Sequence, residues 1–371
     1  MSSQAAIKQK KRVAIIGARG YSGLELVRIL LKHPETELVA CLAHEASFAL
    51  ADYLPEAAAA FVPVLPLKDL ESILPGLDSI FLATPTEASI ELAPRILENK
   101  NSQANVIDLS GAFRFQSGTA AERASRFEQW YKAKQISPEI AGKAHFGLVP
   151  FATPVQGGKT LVSNPGCYAT AVLMGIVPLL KANTIDAKTL VIDAKSGTTG
   201  AGRKASEAQL FAEVDGECLP YRVGKHQHLP EICEWAEAYS QTAINPFFTT
   251  HLLSVRRGIL ASIYSELQPG LGESDVKAAF AGAYKNYSLA RITNLNSKTG
   301  NDLSPAVSMS LKKVVGTPRV HLSYAVVGSK LYLFSVIDNL LKGAASQAVE
   351  NFNSLHDYPV ALGLDAMEGT L

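Results

Sequence analysis

The sequence predicts two domains: a parallel α/β domain of the doubly wound kind, and an α+β domain with an antiparallel or mixed sheet. Three observations predict this. An apolar run, a glycine-rich loop and an amphipathic stretch follow one another over residues 12–32. Strand-like and helix-like segments then alternate, which argues for parallel strands with crossover helices. From Leu190 the texture changes to recurrent strands with short connections. At 371 residues the chain is also too long for one ordinary core.

Taken in order, RVAIIGA (12–18) reads as a short buried strand. Leu24, Val27, Leu30 and Leu31 then recur at helical spacing over 22–32. Residues 38–43, 79–83 and 105–109 read as further strands, with a helix pattern from about 87 to 98. The stretch 116–143 is polar and helix-prone and reads as an insertion or a surface helix. A Pro/Gly turn at 163–166 precedes a helical stretch, 167–180. LVIDA, FFTTHLLSV, GILASIYSEL, RVHLSYAVV and KLYLFSVID then read as strands, the last two joined by a short Gly-Ser-Lys turn. A helix from about 339 to 352 follows.

Composition narrows the function classes. Apolar residues at 47% and charged residues at 19% exclude a disordered chain. A net charge of +1 with no long basic run points away from a nucleic-acid partner. The longest apolar stretch, 169–180, contains Pro178 and is far short of the roughly 20 residues a membrane helix needs. The start, MSSQAAIKQKK, lacks the apolar core of a signal peptide, so a cytoplasmic place is expected. Four cysteines are present and none forms a Cys-x-x-Cys pair. Cys41, inside LVACLA, reads as a small buried apolar residue; Cys218 and Cys233 carry no assignment.

Gly17, Gly20 and Gly23 in GARGYSG, between a strand and a helix, suit a dinucleotide-binding loop. Glycine lets the backbone approach a pyrophosphate, and the helix start at Tyr21 and Ser22 offers free N–H groups. An NAD-binding fold usually carries an acid at the end of the second strand. That neighbourhood here reads Cys-Leu-Ala-His-Glu, with Arg19 and His44 able to meet a 2′-phosphate. NADP(H) is the expected cofactor, with Glu45 facing the ribose as the alternative.

SNPGCYAT (163–170) carries the most information. A thiol at a helix start gains from the helix dipole and free amides, so Cys167 is expected to have a lowered pKa and to act as a nucleophile. A buried cysteine at a helix start is the rival reading. In GKHQHLPE (224–231), His226 and His228 stand at i and i+2, on one side of an extended strand. One of them is a candidate proton carrier, with Glu231 orienting an imidazole. No third ligand with suitable spacing supports a metal site.

Together GARGYSG, DLSGAFR (108–114), SNPGCYAT, SGTTGAGR (196–203), VGKHQHLPEI (223–232) and IDNLLKGAASQA (337–348) closely resemble the N-acetyl-gamma-glutamyl-phosphate reductase family. That family is the arginine-pathway branch of the aspartate-semialdehyde dehydrogenase superfamily. The resemblance implies a Rossmann domain built from both chain ends, 1–166 and 339–371, around an inserted catalytic and oligomerisation domain, 167–338. It implies NADPH, a small-molecule acyl phosphate and inorganic phosphate as ligands, and a homodimer or homotetramer. By motif match it assigns Cys167 as nucleophile, His228 as acid/base and Arg114 as the phosphate anchor. Asn164, His226 and Glu231 are then at the substrate, and Ser196, Gly197, Gly200 and Asn339 at the cofactor. One departure is Arg19, in a loop that usually reads GATGYTG. The same chemistry on an aminoadipyl or aspartyl phosphate, and a non-catalytic NADP-binding regulator, are the alternatives. Intact Cys167, His228 and Arg114 argue against the regulator, since binding alone needs none of them.

Overall fold

The computed structural model describes residues 9–44, 48–153, 155, 158–296 and 309–365. Seven strands form the first sheet: β1 (Lys11–Ile16), β2 (Thr36–Ala43), β3 (Val64–Pro66), β4 (Ser79–Leu82), β5 (Asn105–Asp108), β6 (His145–Phe146) and β7 (Leu161–Ser163). Their spatial order is β3-β2-β1-β4-β5-β7-β6, with every pair parallel. The order reverses between β1 and β4, so the glycine loop after β1 opens at the switch point where such sheets bind ligands. Helices α1 (Tyr21–Lys32) and α2 (Thr86–Glu98) are the crossovers that follow β1 and β4. The polar stretch folds as a helix, α3 (Ala120–Tyr131). Thr119 and Glu122 cap its start reciprocally, each side chain accepting the other's backbone N–H.

The second sheet is mixed. Its strands are β8 (Val191–Gly197), β9 (Cys218–Tyr221), β10 (Phe247–Leu253), β11 (Ile259–Glu266), β12 (Ala290–Asn294), β13 (Val320–Val327) and β14 (Lys330–Ile337). They lie in the order β12-β13-β14-β11-β8-β10-β9. β8 with β10 and β12 with β13 are parallel, the other pairs antiparallel. Helix α4 (Cys167–Lys181) packs on β11 and β14, and α5 (His228–Ser240) and α6 (Glu273–Tyr284) pack on α4. Every residue of α4 from Tyr168 to Leu180 is buried, which explains its apolar sequence on all faces.

The last helix differs from expectation at its start. A π-turn, Leu341–Ala345, precedes the regular helix α7 (Ser346–Leu355). Gly343 N–H bonds to the carbonyl of Asp338 at 2.9 Å and Ala345 N–H to that of Leu340 at 2.8 Å, both reaching five residues back. The Asp338 carboxylate accepts the N–H groups of Leu340 and Leu341 and so fixes where the turn begins. α7 packs against α1 and β5 of the first sheet. Cys41 is fully buried, as expected of a core residue, whereas Cys218 is exposed and Cys233 half-buried.

Candidate active site

Cys167 is the first residue of α4, reached from β7 through Asn164-Pro165-Gly166. Gly166 is extended (φ −66, ψ 152) and offers no side-chain cap. The thiol opens into a cavity of about 690 Å³, also lined by Ser196, Gly200, Arg222, His226 and His228. The cysteine and histidine segments, 60 residues apart in the chain, therefore meet at one site.

The histidines are not on a strand. His226 ends a turn and His228 opens α5. Both rings nevertheless face one place, 4.8 Å apart edge to face. His226 Nδ1 accepts the backbone N–H of His228 at 3.1 Å, so its ring proton sits on Nε2. His228 Nε2 lies 3.2 Å from Arg114 Nη1, which only donates. The ring proton of His228 is therefore on Nδ1, a buried atom with no protein partner. Burial first, then the neighbouring His226 and Arg114, hold His228 well below its ordinary pKa; burial likewise lowers His226 to about 3. Both imidazoles are neutral.

Glu231 does not orient an imidazole. One turn along α5 from His228, it points at the cysteine turn, where Oε1 accepts the N–H of Gly166 at 2.7 Å. Its other oxygen faces Arg114 Nη1 at 3.4 Å. Arg114 follows β5 and is 6% exposed. Its Nε donates to the carbonyl of Asn164 at 3.1 Å and its Nη2 to that of Leu109 at 3.0 Å. With Nη1 on His228 and Glu231, one Nη2 proton is left over. A bidentate phosphate clamp is therefore not available from Arg114. Its charge, close to Cys167, is. Asn164 is fully buried. Its side chain donates to Ala344 and accepts from Asn351, so it holds the turn and offers nothing to a ligand.

The expected lowering of the Cys167 pKa is overturned. Burial pushes the thiol up to about 11, against the opposing pull of Arg114 and the Tyr168 amide. The helix start alone predicted the opposite sign, because the burial around it comes from residues distant in sequence. Cys167 rests as a thiol.

The cofactor-side residues also assemble. Ser196 and Gly197 end β8, Gly200 lies in the turn after it, and Asn339 follows β14. Asn339 accepts the N–H of Gly258 at 2.7 Å and donates to Thr199 at 3.1 Å. A Cβ on Gly200 would lie 3.3 Å from Ser196 Oγ and 3.8 Å from Asn339 Nδ2. At the other end of the cleft, Gly17 (φ +91) has its Cα against the carbonyl of Ala83, where a Cβ would come to 2.5 Å. Gly20 is different: its φ is ordinary and a Cβ there would meet no protein atom closer than 3.5 Å. Protein packing does not require glycine at position 20, and the space beside it at the uncapped start of α1 suits a pyrophosphate. The chain thus fits a dinucleotide.

Arg19 and His44 have separate surroundings. Arg19 lies 6.0 Å over the ring of Tyr53, whereas His44 borders Lys68 and Arg95 at the end of β2. Glu45 lies outside the described residues. Sequence reasoning missed Arg203, which reaches from the second domain to donate to the carbonyl of Arg19 at 2.9 Å and stacks near Tyr21 and Tyr53. It also missed Arg222 in the cavity and Gly343 behind Cys167. The SGTTGAGR motif, which contains Arg203, was the available signal for the first. Among the described residues, no cluster of three or more His, Cys, Asp or Glu is placed to hold a metal, and no helix is long and apolar enough to cross a membrane.

Comparison with known proteins gives the family. The semialdehyde dehydrogenase NAD binding domain matches residues 12–155, and the semialdehyde dehydrogenase dimerisation domain matches residues 167–339. The N-acetyl-gamma-glutamyl-phosphate reductase of Halalkalibacterium halodurans is 35% identical over 357 residues, covering 95% of this chain and 98% of that one. The enzyme of the same name from Halothermothrix orenii is 36% identical over 362 residues, covering 95% and 97%. Among solved structures, aspartate semialdehyde dehydrogenase from Francisella tularensis superposes with a TM-score of 0.67 at 13% identity, covering 93% of this chain and all of that one. The Candida albicans enzyme with NADP gives 0.63 at 14%, covering 95% and 100%. These two likenesses concern the fold alone. With its NAD(P)-binding parallel-sheet domain and its mixed-sheet partner, the chain belongs to the N-acetyl-gamma-glutamyl-phosphate reductase family of semialdehyde dehydrogenases.

Proposed function

We propose that this protein reduces N-acetyl-glutamyl 5-phosphate to N-acetyl-glutamate 5-semialdehyde and phosphate, using NADPH, in arginine biosynthesis. The observation that carries the reading is the meeting of Cys167, His228 and the Ser196–Gly200 turn around one cavity. Binding alone would need neither the thiol nor the neutral histidine.

The Cys167 sulfur attacks the acyl carbon while its proton passes to a base, the role of the neutral His228. Phosphate departs with the electron pair of its C–O bond and leaves a thioester on Cys167. Arg114 and Arg222 supply positive charge to the departing group, and free amides at the start of α4 face the carbonyl oxygen. The bound dinucleotide supplies the hydride that brings the thioester to the aldehyde level. His228 then returns its proton as the carbon–sulfur bond breaks, and Cys167 is regenerated as a thiol.

Several further readings accompany this one. NADP is favoured over NAD by Arg19, His44 and Arg203, none of which is opposed by an acid among the described residues at the end of β2. The domain division is 1–166 with 339–371 against 167–338, supported by the packing of α7 on α1 and of α4 on β11 and β14. A homodimer or homotetramer in the cytoplasm is the expected form, supported by the match to a dimerisation domain in a biosynthetic family.

The deciding assay is phosphate-dependent reduction of NADP+ with three semialdehydes: N-acetyl-glutamate, aminoadipate and aspartate. The highest kcat/KM is expected with the first. A higher value with aspartate or aminoadipate semialdehyde would reassign the substrate, and turnover independent of phosphate would overturn the reaction class.

A further inference from the structure

A buried cation stands behind the nucleophile and takes no part in the chemistry above. Lys342, in the π-turn, is fully buried, as are Glu350 and Gln347. Its ammonium lies 2.8 and 3.0 Å from the two carboxylate oxygens of Glu350 and 2.5 Å from Gln347 Oε1, and it also donates to the Tyr287 hydroxyl. Tyr287 donates to Glu350 at 2.5 Å, and Gln347 donates to the carbonyl of Gly147 at 3.0 Å. The cluster therefore ties the π-turn to the segment between α6 and β12 and to the segment after β6.

The next two residues touch the site. A Cβ on Gly343 would lie 2.7 Å from Cys167 Cβ and 3.2 Å from its Cα. The carbonyl of Ala344 accepts from Asn164 at 3.1 Å, and the carbonyl of Asn164 holds Arg114. A π-turn holds one residue more than an α-turn, and successive helical residues are rotated by about 100°. Relaxation to α register would swing Gly343 away and bring a neighbour with a side chain against Cys167.

We propose that the Lys342–Glu350 pair is a positioning device for the nucleophile, pinning the π register so that glycine alone backs Cys167. Lys342 touches no reacting atom and is a positioning residue. The inference rests on the reading of Cys167 as nucleophile.

The test is the double variant Lys342→Met/Glu350→Gln in the full chain, which removes both charges at similar volume, a change buried pairs often tolerate. Four measurements are needed: thermal unfolding, NADP+ affinity by fluorescence titration, steady-state kinetics, and the pH profile of Cys167 alkylation by iodoacetamide. The variant is expected to fold and to bind NADP+ within about twofold of the parent. Its kcat should fall at least about tenfold with KM little changed. Its alkylation profile should move by about half a pH unit or more. A folded variant with the parent's alkylation profile overturns the proposal, whatever its kcat. A variant that cannot fold also overturns it, by giving the pair a stabilising role alone. Alkylation needs no acyl phosphate, so this outcome is separate from any failure of the proposed reaction.

Discussion

Glu231 accepts the backbone N–H of Gly166 at 2.7 Å, a bond from helix α5 to the turn one residue before Cys167. The contact is possible because Gly166 has no side chain. A Cβ at that position would stand 2.5 Å from His228 Nε2 and 2.7 Å from Arg114 Nη1. One carboxylate thus fixes the turn and neutralises the buried arginine beside it.

Glu231→Ala should therefore destabilise the fold strongly. It leaves Arg114 without its ion-pair partner and the Gly166 amide without an acceptor, a loss of about 3–5 kcal/mol by urea unfolding. Glu231→Gln keeps an acceptor for Gly166 and should fold, with turnover reduced about tenfold or more. An alanine variant as stable as the parent would show the carboxylate to be dispensable.

Cys167 should behave as a thiol, not a standing thiolate, in the free protein. With its pKa pushed up to about 11, the rate of alkylation should rise with each step in pH through 9. A plateau below pH 8 would mean a standing thiolate. Cys167→Ser should keep NADP+ binding and lose nearly all turnover, by several orders of magnitude. Undiminished turnover in the serine variant would remove the covalent step.

The two histidines should separate in kinetics. His228, which lines the cavity and whose Nε2 is the ring nitrogen without a proton, should lower kcat when changed to asparagine. His226 uses Nδ1 on the backbone of His228, so His226→Asn should mainly raise the substrate KM. The reverse pattern in steady-state data would exchange the roles.

The two arginines should separate as well. Arg114→Lys cannot reproduce donors to Asn164, Leu109 and Glu231 at once. It should lower kcat while NADP+ affinity changes little. Arg222 lines the cavity with a more exposed head. Arg222→Ala should raise the phosphate requirement of the reverse reaction about tenfold, or about 1.4 kcal/mol. An unchanged phosphate KM in that variant would take Arg222 out of the site.

Acid should weaken the fold through buried imidazoles. Burial lowers His321 and His356 from 6.5 to about 4 each. As pH falls through 6.5, the unfolded chain takes up protons that the folded chain refuses. Stability is thus complete above about pH 6.5 and lost progressively down to about pH 4, by up to about 1.4 kcal/mol per pH unit for each ring. His356→Gln should flatten the fall in urea midpoint between pH 7 and pH 5. An equally steep fall in that variant would assign the acid sensitivity elsewhere.

The parts of this fold legible in the sequence are those whose cause is local. The strand, GARGYSG and the helix beyond it lie within 22 residues, and so does the switch-point loop they make. The β13–β14 hairpin is announced by its Gly-Ser-Lys turn. The histidine segment misled because i and i+2 spacing suits a strand. Pro230, in the first turn of α5, was the signal against it, since proline is accepted there and poorly inside a sheet. The engagement of Arg114 was not legible, because its partners stand at 109, 164, 228 and 231 and only folding brings them together. The sign of the Cys167 shift failed for the same reason: a helix start is visible in the chain, and the burial around it is not. The π-turn depends on Asp338, and its surroundings on Tyr287 and Glu350, which no local pattern reveals.

Helix α4, buried from Tyr168 to Leu180, has a consequence for how the protein moves. An element sealed on every side has no low-energy way to open by itself, and its amides exchange with solvent only when the whole domain unfolds. The Cys167 sulfur that begins it is therefore held on a rigid element. Adjustment to incoming and outgoing ligands falls to the exposed segments around the cavity mouth, 202–210 and 222–225. Hydrogen exchange should separate the two, with slow amides along the helix and fast ones in those segments, liganded or not.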